Sequence, residues 1–420
     1  MMPLIRLSLL IAMALVGAIA ATAANPAPVL PGIDVLREGD FEPLKGKRVG
    51  LLTHPAGVDS SGVSTITILH EAAQVNLVAL FGPEHGIDGK APANDPIENQ
   101  THAATGLPVF SLYGKYRTPT DAMLEGLDVM VIDLQDIGVR SYTYVSCMRL
   151  TLEACFRNDI EVMILDRPNP LGGEKVDGPP MDEDLRSYVG SFPVPYVHGL
   201  TIGELARIAK LTEGWLDLPQ SVRNSGRLTI IPMKNWRRSM TWDQTGLEWV
   251  PTSPGIPTLS SVLGYAMTGL GAEINAFRHG FGTEYSFRLL SMPGIETDHL
   301  VDALNALKLR GVQFVKASAT DARGNTVEGA YVQVFNWETL RPTALSFHMM
   351  PLACKLQQQN PYASATAARI SLFNKHVGSQ AWWTEISTKG ADADARGFIE
   401  RWQSRSDKFR VWAAAHHIYR

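Results

Sequence analysis

Glu84 stands between Pro83 and His85, directly after the apolar run Val75 to Phe81. A carboxyl group at the end of a buried strand has little access to water, and this raises its pKa. A raised pKa suits a general acid that protonates a leaving glycosidic oxygen. The alternative role for the same residue is to cap a helix or brace a loop. Glycoside hydrolysis normally uses a second carboxylate, and Asp133 and Asp136 are the candidates. For Asp136 the alternative is an Asx-turn; for Asp133 it is a strand-end hydrogen bond to a loop. Gln135, between them, is placed to orient an N-acetyl group or a water.

Other side chains group around these acids. Arg140, Arg167 and His85 are candidate anion contacts, because a guanidinium fork matches a carboxylate. Each arginine has the alternative of a structural salt bridge, and Asp166 is a partner for Arg167 or Arg140. Of Tyr142 and Tyr144, one is expected to touch a sugar and the other to lie in the core. His54 and His198 sit in Thr-His-Pro-Ala-Gly and Val-His-Gly-Leu-Thr loops, where a lone histidine is more often structural than a ligand. Asn169, in Asp166-Arg-Pro-Asn-Pro-Leu-Gly-Gly173, completes the set.

These residues share one kind of position. The runs Arg48–Leu52, Val75–Phe81, Asp128–Asp133, Ile160–Leu165 and Leu228–Ile231 read as strands. Helical patterns alternate with them at 64–73, 118–124, 144–157 and 201–212. The last opens on the capping-box signature Thr201-Ile-Gly-Glu204. Near-continuous apolar strands alternating with helices predict a doubly wound, mostly parallel α/β sheet. Ligands of such sheets bind beyond the carboxyl ends of the strands. All four polar loops, starting at Thr53, Gly82, Asp133 and Asp166, leave from such ends.

The Pro-rich stretch Trp249–Thr258 places a domain boundary near residue 250. Beyond it, strands at 286–290, 312–316 and 330–335 and helices at 259–268, 297–307, 346–358 and 393–404 predict a smaller α+β domain. The expected division is thus 25–250 and 251–420, after a signal peptide at 1–24. That peptide is read from Arg6, the apolar run to Ala20 and Ala21-Thr-Ala-Ala24. The apolar run is shorter than the roughly 20 residues of a spanning helix. A periplasmic or secreted protein without a membrane span is expected after cleavage.

With a net charge of -4 and no basic patch, nucleic acid is not an expected partner. Cys147, Cys155 and Cys354 have no zinc-site spacing and read as buried apolar residues. There is no G-x-G-x-x-G, Walker or G-x-S-x-G pattern, so neither a nucleotide nor a serine triad is indicated. No cofactor and no metal are expected. The sequence leaves the oligomeric state open.

Six motifs give the chain a resemblance. Leu51-Leu-Thr-His-Pro-Ala-Gly57, Phe81-Gly-Pro-Glu-His-Gly86 and Thr105-Gly-Leu-Pro-Val-Phe-Ser-Leu-Tyr-Gly114 are three. Asp133-Leu-Gln-Asp-Ile-Gly-Val-Arg-Ser-Tyr-Thr-Tyr144, Leu165-Asp-Arg-Pro-Asn-Pro-Leu-Gly-Gly173 and Pro195-Tyr-Val-His-Gly-Leu-Thr201 complete them. Together they resemble the NamZ exo-β-N-acetylmuramidase family. The resemblance implies a Rossmann-like first domain, a smaller second domain and an active site in the cleft between them. It implies release of single N-acetylmuramic acid units from peptidoglycan-derived saccharides, with Glu84 catalytic. The anion contacts would then meet the lactyl carboxylate of the muramyl sugar. The second domain departs from the family's Gly-Arg-Gly-Thr and Pro-Phe-Glu pattern. Here Phe281, Ser286 and Arg288 replace the arginine, proline and glutamate, and Arg278 or Glu284 is the nearby compensating candidate.

Overall fold

A computed structural model describes residues 27–92 and 95–420. The expected signal peptide lies outside the described residues. Among those described, no helix is long and apolar enough to cross a membrane.

The larger sheet has seven strands. They are β1 (Arg48–Thr53), β2 (Asn76–Gly82), β3 (Gln100–Thr101), β4 (Pro108–Ser111), β5 (Val129–Asp133), β6 (Glu161–Leu165) and β7 (Leu228–Ile231). Their order is β3-β4-β2-β1-β5-β6-β7. Only the β3–β4 pair is antiparallel. The strand order therefore reverses direction between β1 and β5, where Thr53 pairs with Asp133. This is the topological switch point at which doubly wound sheets open a crevice. Every residue of β5 is buried, which accounts for its unbroken apolar run.

Both faces of the sheet are covered. Helices Gly32–Glu38 and Thr65–Glu71 close one face over Val49, Leu51, Leu80 and Val131. Helices Tyr144–Arg157 and Ile202–Leu211 pack over Met130, Ile132 and Ile164 on the other. The predicted capping box is present: Thr201 and Glu204 each satisfy the other's backbone N–H. Such a cap contributes about 1 kcal/mol.

The remainder is built on a three-stranded antiparallel sheet, order β8-β10-β9, of β8 (Leu289–Leu290), β9 (Val312–Thr320) and β10 (Thr326–Val334). Around it lie helices Leu259–Thr268, Thr297–Asn305, Pro342–Gln357, Ala367–Val377, Gln380–Lys389 and Ala395–Ala413. The helix expected from 346 starts at Pro342, whose missing N–H is no loss in a first helical turn. One apolar cluster runs from Met130 and Ile132 through Tyr144 and Val262 to Leu290 and Ala330, so the two sheets share a continuous core. The segment around Tyr419 returns to the first sheet, where it packs on Trp236 with ring centroids 5.0 Å apart. All three cysteines are free and buried.

Candidate active site

β2 ends at Gly82, and a tight turn follows in which the Gly86 N–H donates to the Pro83 carbonyl at 2.9 Å. His85 has φ +69°, a left-handed conformation that costs a residue with a Cβ about 1 kcal/mol or more. Its Nδ1 lies 2.8 Å from the Ala91 carbonyl, which ties the ring into this loop. The turn directs Glu84 inward, leaving it 7% exposed. Thr143 Oγ1 donates to Glu84 Oε2 at 2.6 Å. Among the described residues Glu84 Oε1 has no hydrogen-bond partner, and it keeps access to solvent.

Thr143 is the residue that caps helix Tyr144–Arg157 by position, yet its side chain makes no cap hydrogen bond. Thr201, Thr258 and Thr366 all cap their own helices. Tyrosines surround the same carboxylate. Tyr144 donates to the Thr252 carbonyl at 2.5 Å and approaches the Glu84 carbonyl at 3.5 Å. Burial pushes the phenols of Tyr144, Tyr188 and Tyr265 above their ordinary range, and the Glu84 charge adds to each. All three stay protonated, as hydrogen-bond donors.

The four strand-end loops meet. His54, after β1, accepts the Gln135 N–H on Nε2 at 2.9 Å, so its hydrogen is on Nδ1. Burial, reinforced by the Arg167 charge, holds its pKa at about 3. His54 is therefore a neutral structural residue, with its ring edge-on to Tyr144 at 4.7 Å. Gln135 Nε2 donates to the carbonyls of Asp136 (2.7 Å) and Pro168 (2.9 Å). Asp136 Oδ2 accepts the Gly138 N–H at 2.9 Å, the Asx-turn. Gly138 has φ +80°, and a Cβ there would meet Asn169 Oδ1 at 2.2 Å. His198 Nδ1 accepts the Leu200 N–H, which puts the His198 hydrogen on Nε2, 3.5 Å from Asp136 Oδ2. Asp136 Oδ1 is buried without a partner. The rings of Tyr142 and Tyr144 adjoin at 4.8 Å, and the Asp136 charge adds to the burial that raises the Tyr142 phenol above its ordinary range. Tyr142 itself donates to Thr252 Oγ1 at 2.7 Å.

Several expected site residues have other work. Both oxygens of Asp133 are committed to Arg167 and Thr65, so this acid braces the strand end. Arg167 also donates to the Val58 carbonyl at 2.6 Å. Arg140 is corrected from anion contact to structural post. Its two terminal nitrogens donate to the carbonyls of Pro179, Val194, His376 and Val377, and it is 1% exposed. Asn169 bridges the Leu200 carbonyl and the Leu171 N–H. Asp166 pairs with neither arginine side chain. It accepts from Thr201, the Gly203 N–H and Tyr419, and burial raises its pKa to about 6. Arg278 and Glu284 are exposed, and their side chains make no hydrogen bond or ion pair among the described residues; the Arg278 backbone pairs with Ser291.

Gln135 and Arg167 line a hollow of about 260 Å³ with Val58, Ser61, Trp242 and Val250; Glu84 does not line it. The substituted second-domain stretch does reach the surroundings of Glu84. Phe281, 57% exposed, packs edge-on to Phe287 at 4.7 Å, and Phe287 on Tyr265 at 4.8 Å. Arg288 turns away from it. Its guanidinium donates to the Val332 carbonyl and Ser260 and lies 4.6 Å over the Tyr331 ring. Among the described residues, no three metal-ligating side chains come together.

Arg117 and Tyr188 escaped the sequence reading. The Arg117 guanidinium stacks on Tyr188 at 4.4 Å and Tyr113 at 5.0 Å. The Tyr188 carbonyl accepts from Ser146 Oγ at 2.5 Å, one turn beyond Thr143 on the same helix. The basic-aromatic run Tyr113-Gly-Lys-Tyr-Arg117 was the available signal for Arg117. Tyr188 lies in an irregular loop and offered none.

Residues 49–260 match the family described as exo-beta-N-acetylmuramidase NamZ, N-terminal, and residues 263–419 its C-terminal counterpart. The peptidoglycan beta-N-acetylmuramidase NamZ of Bacillus subtilis (strain 168) is 43% identical over 299 residues, 71% of this chain and 70% of that protein. A DUF1343 family protein of Bacteroides fragilis NCTC 9343 superposes with TM-score 0.84 at 37% identity, covering 94% of this chain and 99% of that one. A second protein of that family and organism, 24% identical with TM-score 0.70 over the same shares, shows the common fold.

Proposed function

This chain belongs to the NamZ family, and from that premise we propose that it is a glycosidase releasing terminal N-acetylmuramic acid from peptidoglycan-derived saccharides, with Glu84 as general acid. The observation that carries the reading is the division of labour within the Glu84 carboxyl. One oxygen is fixed by Thr143 while the other is left open. A group held this way can present a proton to a glycosidic oxygen without losing its orientation. With Glu84 only 7% exposed, the low local dielectric strengthens its interaction with the developing charge. Asp136 is the second carboxylate in this reading, because one of its oxygens is uncommitted whereas both of Asp133 are taken.

The test is turnover of a chromogenic β-N-acetylmuraminide. Glu84→Gln is expected to lower kcat by at least about 100-fold, the range of general-acid catalysis. An unchanged kcat removes Glu84 from the chemistry. Proton NMR of the first-formed anomer then separates inversion from retention.

A second reading, a cell-wall sugar binder without turnover, is favoured by one observation. Where the family pattern has a glutamate, Arg288 is locked into the second sheet. Saturable saccharide binding with no product would establish it. Export, with cleavage near Ala24, belongs to the same proposal and is checked by sequencing the mature N-terminus.

A further inference from the structure

The Arg117 guanidinium lies against two tyrosine rings, 4.4 Å from the Tyr188 centroid and 5.0 Å from that of Tyr113, and has no ion pair among the described residues. Stacking occupies the faces of the group and leaves its in-plane N–H donors available. The clamp is anchored to the Glu84 site. Tyr113 and Tyr188 stand 5.9 Å apart, and the Tyr188 backbone is tied to Ser146 on the helix whose first residue follows Thr143. The Tyr188 hydroxyl is buried without a hydrogen-bond partner, which is costly for a phenol unless an acceptor arrives. Arg117 and Glu84 are thus both attached to the first turn of one helix, Arg117 through Tyr188 and Ser146 and Glu84 through Thr143.

The arginines first suspected of holding an anion are unsuited to it. Arg140 is buried with its two terminal nitrogens taken by four carbonyls, and Arg167 is neutralised by Asp133. Arg278 is exposed, as Arg117 is, but among the described residues no aromatic ring lies against its guanidinium to orient it. A cation at the edge of a glycosidase site, with planar donors and a neighbouring unpartnered phenol, matches a carboxylate on the sugar rather than a neutral hydroxyl.

We propose that Arg117, oriented by Tyr113 and Tyr188, binds the carboxylate of the sugar whose glycosidic bond Glu84 faces, and so selects an acidic amino sugar over its neutral counterpart. The choice of sugar rests on the glycosidase reading above; the anion site does not.

The experiment compares the 4-nitrophenyl β-glycoside of N-acetylmuramic acid with the methyl ester of its lactyl group. Wild-type protein is expected to prefer the acid. In Arg117→Gln, KM for the acid rises at least tenfold, kcat changes less than threefold, and the ester is turned over as before. Arg117→Lys recovers part of the preference, since a point charge replaces the fork. Equal losses on acid and ester, or an unchanged ratio, overturn the proposal. If no glycoside is turned over, calorimetry with free N-acetylmuramic acid and N-acetylglucosamine on full-length protein decides it separately. Arg117-dependent binding of the acid alone sustains the anion site without the glycosidase reading. Binding indifferent to Arg117, or no binding of the acid, ends it.

Discussion

Thr143 precedes helix Tyr144–Arg157 and turns its hydroxyl to Glu84 instead of to the helix, at 2.6 Å from Oε2. The helix gives up a side-chain cap of about 1 kcal/mol at this end. What the arrangement gains is a fixed carboxylate.

Thr143→Val is expected to lower kcat/KM by about 10- to 100-fold, matching the roughly 1.5–3 kcal/mol of a hydrogen bond to a charged group. Thr143→Ser keeps the hydroxyl and is expected within a few-fold of wild type. Steady-state kinetics on the chromogenic muraminide decide the matter. Equal activity in the valine and serine variants would show that the contact is incidental.

Arg140→Met is expected to cost about 3 kcal/mol or more of stability, because it leaves buried carbonyls from residues as far apart as Pro179 and Val377 without a donor. Urea denaturation measures this. The acid-to-ester preference of the surviving folded protein should be unaltered. A changed preference would restore Arg140 as a substrate contact.

Acid should weaken the fold through its buried histidines. Burial lowers His54 to about 3 and His279 to about 4, while the unfolded chain takes up protons near 6.5. Their stabilising contribution is therefore complete above pH 6.5. It falls by about 1.4 kcal/mol per pH unit for each residue as the pH drops toward the folded pKa. Denaturation midpoints at pH 7, 6 and 5 test this slope. His54→Gln should make it shallower; an identical slope would show that His54 takes no part.

Tyr419→Phe removes the donor to Asp166 Oδ2, 2.6 Å away, and the acceptor of the Met233 N–H. A loss of about 1–3 kcal/mol is expected. The effect should be larger above pH 6 than below it. Asp166, raised to about 6, is ionised there and has more need of the phenol. A pH-independent loss would mean that Asp166 is not the group affected.

What the sequence disclosed was local or periodic. The capping box at Thr201 and helix Tyr144–Arg157 are written in contiguous residues. The apolar strands β1, β2, β5 and β6 are legible because both faces are covered. The edge strand β3 and its neighbour β4 were missed: they are two and four residues long, and the second opens on proline. Helices Ala367–Val377 and Gln380–Lys389 were also missed; each buries only two residues and so lacks an apolar stripe. Partners distant in sequence set the roles within the site. The position of Glu84 just after a strand was legible. That Arg140 reaches His376 and Val377 could not be read from spacing. The aromatic clamp on Arg117 brings together residues 71 apart and leaves no periodic trace.

The bond between Tyr419 and Asp166 spans 253 positions, and Ile418 likewise donates to Glu204, the acid that Arg238 holds in a buried pair. On the ribosome, the parallel sheet would be translated long before this stretch emerges. Until it does, Asp166 and Glu204 each lack one of their donors. Maturation of the first-made half is thereby deferred to the arrival of a distant stretch, and a nascent chain halted before Tyr419 would hold an incomplete sheet open to chaperones and proteases.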